Sequence, residues 1–285
     1  MPSIHEIAKN IEDADVQERI KHLRRLNKLT GRNVICYYSD FFSKQKNNTG
    51  ICDSDLHGIM STVYKLDKTK GLDLVLHTPG GDPAATESIV NYLRSIFDKN
   101  IRAIVPHMAM SAGTMLACSC KEIIMAKHSS LGPIDPQYSG IPVINVKEEF
   151  EKAKGEMVDK PETAIYWREL LGKYPAAIYE MCKNSIELSE VLVRSWLETN
   201  MLDNYPDAVD KVIEKLNENQ ESKVHSRHFD KEQCKAAGLK IIDLESDQKL
   251  QDIVLSIHHC YMYLFNRTNV SKITENQLGI SVVEN

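Results

Sequence analysis

The stretch LDLVLHTPGGDPAATESIV (residues 72–90) joins the pattern of a buried strand directly to the pattern of a helix. Four of its first seven residues are apolar and residues 74–76 form an unbroken apolar run, which is typical of a strand that is covered on both faces of a parallel sheet. Asp82 and Pro83 are residue types that favour the first positions of a helix. Gly80 and Gly81 lie between the two elements, and because glycine lacks Cβ, their backbone can approach another group closely.

The same alternation of strand and helix continues along the chain. Residues 101–107 and 122–126 have the apolar, β-branched pattern of strands. The segment 111–120 between them consists mainly of small residues and predicts a short helix. Strands that alternate with helices predict an α/β fold with a parallel sheet.

The composition is that of one globular domain with terminal additions. The chain has 285 residues, of which 42% are hydrophobic and 26% are charged, a balance that is typical of proteins with a buried core. We divide it into an N-terminal helical extension (residues 1–30), a main domain (31–245), and a C-terminal helix and tail (246–285).

The charge, the hydropathy and the cysteines exclude several classes of protein. A net charge of −5 argues against a nucleic-acid partner. No apolar run approaches the roughly 18 residues that span a bilayer, and the first residues lack a signal-peptide core, so we expect no membrane span. Seven scattered cysteines predict free thiols and a cytoplasmic location. Cys118 and Cys120 lack the spacing of zinc ligands, so we expect no metal site and no cofactor.

The glycine pair suits an oxyanion hole better than a phosphate loop. A phosphate loop has Lys and then Ser or Thr after its glycines, a dinucleotide motif has three spaced glycines, and neither pattern is present. An oxyanion hole needs exposed N–H groups near a nucleophile. Ser111 stands at the next junction of strand and helix, and the carboxyl ends of parallel strands meet at one edge of a sheet. We therefore expect Ser111 beside Gly80 and Gly81, although serine is also a favoured helix cap.

Three motifs make a family resemblance specific. They are HTPGGD (residues 77–82), PHMAMSAGTMLA (106–117) and EIIMAKHSSLGPIDPQ (122–137). In this order they resemble the serine dehydrogenase proteinase family, a branch of the Clp/crotonase-like serine peptidases that includes signal-peptide peptidase A. The resemblance implies an α/β fold of the ββα-spiral type with added helices at both termini. It also implies a hydrolase that cleaves peptides or unfolded or membrane-derived protein segments.

The same resemblance assigns roles in the site. It implies that Ser111 is the nucleophile and that the oxyanion donors are the main-chain N–H groups of Gly80 or Gly81 and of Ala112. If so, Gly81→Ala should nearly abolish turnover while folding suffers much less.

The general base that would activate Ser111 stays open. Related peptidases use a histidine or a lysine. His225 begins a downstream segment that resembles the family, and His128 precedes the SSLGPID loop; an unperturbed histidine pKa near 6.5 suits a base. Lys152 is a further candidate, although its place on a Glu-rich helix is typical of a surface lysine.

Two other functions also stay open. A crotonase-like enzyme would use the N–H donors to polarise a coenzyme A thioester, but that chemistry needs an acidic base rather than a serine beside the donors. A catalytically impaired scaffold or partner-binding protein would keep the fold and lack the base.

The apolar content of two helical segments predicts self-association. The segments 176–201 and 249–265 carry more apolar residues than one core face needs. We expect identical chains to bury these surfaces in a closed homo-oligomeric ring.

Overall fold

The computed structural model describes residues 15–44, 49–217 and 227–285. The strands are β1 (Asn33–Ser39), β2 (Leu72–His77), β3 (Ile101–Val105), β4 (Met108–Ala109), β5 (Glu122–Met125), β6 (Ser130–Leu131), β7 (Gln137–Tyr138), β8 (Ile141–Pro142), β9 (Ile241–Asp243), β10 (Lys272–Asn276) and β11 (Ser281–Glu284). The helices are α1 (Asp15–Thr30), α2 (Asp55–Val63), α3 (Pro83–Phe97), α4 (Ala112–Cys118), α5 (Val143–Asp159), α6 (Ala164–Leu171), α7 (Ile178–Trp196), α8 (Pro206–Leu216), α9 (Lys231–Ala237) and α10 (Gln248–Arg267).

The main sheet has the strand order β11-β10-β1-β2-β3-β5-β9. Neighbouring strands from β1 to β9 are parallel, whereas β10 is antiparallel to both β1 and β11. Helices α3 and α4 follow β2 and the β3–β4 segment, as the sequence predicts. The predicted α/β fold with a parallel core is therefore confirmed.

Helices cover both faces of this sheet. One face packs against α2, α3, α4, α7 and α8, and the other packs against α1 and α10. Leu74 and Leu76 of β2 point into the first layer, and Val75 points into the second. Because both faces are buried, residues 74–76 of β2 are an unbroken apolar run rather than an alternating one.

Helix α7 links a largely helical region of the chain to the sheet. Its C-terminal half enters the core with Leu192, Val193 and Trp196. Its N-terminal half packs against α5 through Ile178 and Cys182. This arrangement holds α7 across one end of the sheet, where it forms a wall of the cleft described below.

The first and last helices of the described chain pack on the main sheet. Helix α1 packs against α10, and residues 1–14 of the predicted extension lie outside the described residues. The region that we expect to be a helix and tail contains α10 and the strands β10 and β11. Strand β10 carries buried Lys272 and Glu275, which form ion pairs with Asp55 and Arg19. Charged residues in a buried strand obscure its sequence pattern. Among the described helices, none is long and apolar enough to cross a bilayer.

Candidate active site

Ser111 lies at a sharp turn between β4 and α4. Its φ of 49° and ψ of −118° fall outside the regions that residues with a side chain ordinarily occupy. Strain of this kind costs roughly 1–3 kcal/mol and is concentrated at functional sites. The side chain makes no capping hydrogen bond to α4, so helix capping does not explain the serine. The turn instead places the residue in the wall of a cleft.

The small residues after Ser111 let α4 pack tightly against its surroundings. A Cβ on Gly113 would lie only 2.5 Å from Cγ2 of Thr78, directly after β2. Oγ1 of Thr114 accepts the N–H of Gly132, after β6, at 2.9 Å. The Ser-Ala-Gly-Thr motif therefore joins the ends of separate strands around the serine.

Gly80 packs directly against Ser111. A Cβ on Gly80 would lie 2.7 Å from Cβ of Ser111 and 2.6 Å from the carbonyl oxygen of Met110. Its φ of +98° also favours glycine. The predicted proximity of the glycine pair and the serine is therefore present. The N–H of Gly80 donates to Oγ1 of Thr78 at 3.2 Å. One of the expected oxyanion donors, the Gly80 N–H, therefore already has an acceptor.

Gly81 has a different role from Gly80. The N–H of Ile51 donates to the carbonyl of Gly80 at 2.7 Å, and the N–H of Asp82 donates to the carbonyl of Ile51 at 2.8 Å. These two bonds fix the backbone on both sides of Gly81. Within the described residues, the N–H groups of Gly81 and Ala112 donate to no acceptor. They are the pair that is left available next to Ser111.

The contact with Ile51 corrects one expectation. A Cβ on Gly81 would overlap the backbone of Ile51, so Gly81→Ala cannot leave folding nearly intact. The glycine is therefore required for packing against Ile51.

A cleft of about 490 Å³ opens beside Ser111. The turn at Gly81, helix α4, the loop after β6 and helix α7 form its walls. Apolar surface comes from Met115, Ile134 and Leu188. Among the described residues that line it, Asp82 is the one ionisable side chain, and its carboxylate caps α3 by accepting two backbone N–H groups.

Comparison with known proteins identifies the family of this chain. The model of a family described as ClpP-like SDH-type serine proteinases matches residues 13–230. The chain belongs to this family. It is similar to the uncharacterized protein MJ1495 of Methanocaldococcus jannaschii, with 27% identity over 212 residues, or 70% of each chain. It is also similar to the uncharacterized protein MJ0137 of the same organism, with 29% identity over 168 residues, or 56% of this chain and 57% of the relative.

In this member of the family, the two candidate bases within the described residues, Lys152 and His128, lie away from Ser111. Lys152 lies on α5, is 68% exposed and is 3.9 Å from Glu156, as expected for a surface lysine. His128 is exposed, and neither residue lines the cleft. His225 lies outside the described residues. The structure therefore does not bring Lys152 or His128 to the serine.

His128 instead lies near a histidine cluster on the opposite face of the sheet. The ring of His77 stacks on His107 with centroids 5.5 Å apart, and His258 of α10 approaches His77 at 5.2 Å. Burial, and then His107, lowers the pKa of His77 to about 3. Burial also lowers the pKa of His258 well below its usual value. In the described part of the chain, no group of three or more His, Cys, Asp or Glu side chains is arranged to hold a metal ion.

Several cleft residues were not identified from the sequence. Met115 is four residues after Ser111, so helical periodicity could have indicated it. Ser185, Leu188 and Ser189 of α7 line the same cleft but lie far along the chain. No local sequence signal connects them to the serine.

Proposed function

We propose that this ClpP-like proteinase hydrolyses peptides or unfolded or membrane-derived protein segments, with Ser111 as the nucleophile. The observation that carries the proposal is the strained turn at Ser111, beside the unoccupied N–H groups of Gly81 and Ala112. A carbonyl oxygen becomes negative when a nucleophile attacks the carbonyl carbon, and two aligned N–H donors stabilise that charge. Removing one such donor typically costs roughly 2.7–4 kcal/mol of transition-state stabilisation.

The reaction follows from these positions. Oγ of Ser111 attacks the scissile carbonyl carbon while a base takes its proton, and the carbonyl oxygen accepts hydrogen bonds from Gly81 and Ala112. The amine leaves with a proton from the protonated base, and an acyl-enzyme remains. Water then attacks the ester, the same base takes the proton of that water, and the acid product leaves.

We propose His225 as this base, ahead of His128 and Lys152. Phe229, four residues after His225, exchanges two backbone hydrogen bonds with Leu131 of β6, at 2.8 and 3.0 Å. Strand β6 pairs with β4, and β4 leads into the turn at Ser111. The segment that follows His225 therefore pairs at Phe229 with β6, and β6 is the strand next to β4.

A catalytically impaired scaffold is the second candidate function. One observation favours it. Among the described residues that line the cleft, Asp82 is the one ionisable side chain, and its carboxylate caps α3, so it is engaged in the helix cap instead of serving as a base. Under this alternative the cleft would bind peptide segments without cleaving them.

The finer assignments belong to the same proposal. We place the chain in the branch that resembles signal-peptide peptidase A, with the ββα-spiral fold, a main domain over residues 31–245 and a cytoplasmic location. The three motifs around Ser111 support the branch and the fold, and the seven free cysteines support the location. A closed ring of identical chains would complete the assembly. Because α10 is buried against the sheet and α7 lines the cleft, the contacts of the ring would involve other exposed apolar side chains, such as Val158, Ile165 and Tyr166.

Cleavage of fluorescein-labelled casein and of unstructured peptides tests the activity. Ser111→Ala should lower kcat/KM by on the order of 1,000-fold or more. Ser88→Ala is the control, because Ser88 is exposed and bonds only within α3. Equal cleavage by the Ser111→Ala variant and the wild type would contradict the proposal. An inactive wild type would favour the scaffold.

A further inference from the structure

The cleft beside Ser111 continues along α7. A second, shallower groove of about 380 Å³ lies on the same helix. Ser185 and Leu188 line both the cleft and this groove. The two depressions therefore form one continuous surface that leads away from the serine. We call the outer part, lined by Ala177, Glu180, Met181, Asn184, Ser185 and Leu188, the α7 groove.

The α7 groove exposes apolar side chains that the core does not use. Met181 is 42% exposed and Leu188 is 40% exposed. The core is contacted by a neighbouring face of the helix, about 100° away, on which Cys182 and Val193 are buried. Exposed apolar surface with a polar rim is typical of an interaction site. Here the rim is formed by Glu180 and Asn184.

The dimensions of the α7 groove suit an extended chain. Ala177 and Leu188 are eleven residues apart, and at about 1.5 Å per residue this is about 16 Å along the helix. An extended polypeptide advances about 3.3 Å per residue. The groove therefore matches about five residues of extended polypeptide, in addition to those within the Ser111 cleft.

We propose that the α7 groove binds an extended, apolar segment of the substrate polypeptide on one side of the scissile bond. The role in cleavage rests on the proposed function, because the groove is reached from the Ser111 cleft. Substrate side chains pack on Met181 and Leu188, while the amide of Asn184 bonds to the substrate backbone. Folded proteins rarely expose such a segment, so the groove favours unfolded polypeptides over short peptides and native surfaces.

Peptide binding to the inactive Ser111→Ala protein tests the α7 groove without cleavage. Fluorescence anisotropy would compare a fluorescein-labelled twelve-residue peptide of leucine and alanine with its four-residue truncation. The longer peptide should bind at least about tenfold more tightly. Adding Met181→Ser should remove about tenfold of that affinity, the effect expected for losing one buried methionine contact.

Met60→Ser in the same Ser111→Ala background is the matched control. Met60 lies on α2, is 46% exposed, close to the 42% of Met181, and lines neither the cleft nor the α7 groove. It should leave the affinity for both peptides unchanged. Circular dichroism would verify that both variants are folded.

The outcomes separate the groove from the catalytic proposal. Equal affinity of the Met181→Ser and Met60→Ser variants, or equal affinity for the long and short peptides, would overturn the groove whatever the wild type cleaves. Met181-dependent binding together with an inactive wild type would retain the groove and refute the peptidase.

Discussion

Replacing Gly81 with alanine should lower both stability and turnover. The added Cβ would lie 2.2 Å from the nitrogen and 2.3 Å from the carbonyl oxygen of Ile51, whereas ordinary contact begins at 3.4 Å. The backbone at Ile51 must therefore move by about 1.2 Å to restore ordinary contact with the added Cβ. This movement disrupts the hydrogen bonds that join Ile51 to Gly80 and Asp82. Overpacking costs roughly 1–3 kcal/mol and the φ of +153° costs a similar amount. We expect the free energy of unfolding to fall by about 4 kcal/mol.

Urea unfolding, followed by far-UV circular dichroism, measures this loss. Gly155→Ala is the matched control, because Gly155 lies within α5 and no atom is within 4 Å of an added Cβ. Alanine there should stabilise the protein by about 0.8 kcal/mol. In conditions where Gly81→Ala remains folded, its turnover should fall by about 100-fold or more, because the N–H of residue 81 is displaced. Unfolding and turnover equal to those of the wild type would refute both the contact with Ile51 and the oxyanion role.

Three further predictions concern acid stability, the base and assembly. The free energy of unfolding should fall as the pH drops below 6.5, because His77 is protonated in the unfolded chain at that pH but has a folded-state pKa of about 3. Near pH 4.5 this group alone should remove about 2.7 kcal/mol, and urea titrations of His77→Leu should lack that part of the pH dependence. His225→Gln should lower kcat/KM by roughly 100-fold or more. His228→Gln is the control, because it removes a ring that is hydrogen-bonded to Ser130, and it should leave kcat/KM unchanged. Unchanged turnover of the His225→Gln variant would exclude His225 as the base. Sedimentation velocity should show a closed oligomer, because the chain exposes apolar Val158, Ile165 and Tyr166, and a monomer at micromolar concentration would contradict this.

The local elements around the site could be predicted because their signals are local. Asp82 caps α3 and Pro83 opens it, as their residue types indicate. The apolar run of β2 follows from burial on both faces. The position of Ser111 beside Gly80 follows from the parallel order of β2 and β3, since adjacent strand ends share one edge of the sheet.

Features that depend on distant contacts could not be predicted in this way. Gly80 and Gly81 are equivalent in the sequence, and only the bond from Gly80 to Thr78 and the pairing with Ile51 distinguish them. Strand β10 is obscured by Lys272, whose charge is compensated by Asp55 from another part of the chain. The wall that α7 contributes to the cleft likewise depends on tertiary packing.

The central claim is that the turn at Ser111 activates this serine. A fluorophosphonate probe tests it most directly, because stable labelling requires an activated hydroxyl next to an oxyanion site. Mass spectrometry of the intact protein and of its peptides should show one adduct, located on Ser111, and no adduct on the Ser111→Ala protein. An unlabelled wild type, or an adduct that persists in Ser111→Ala, would contradict the account.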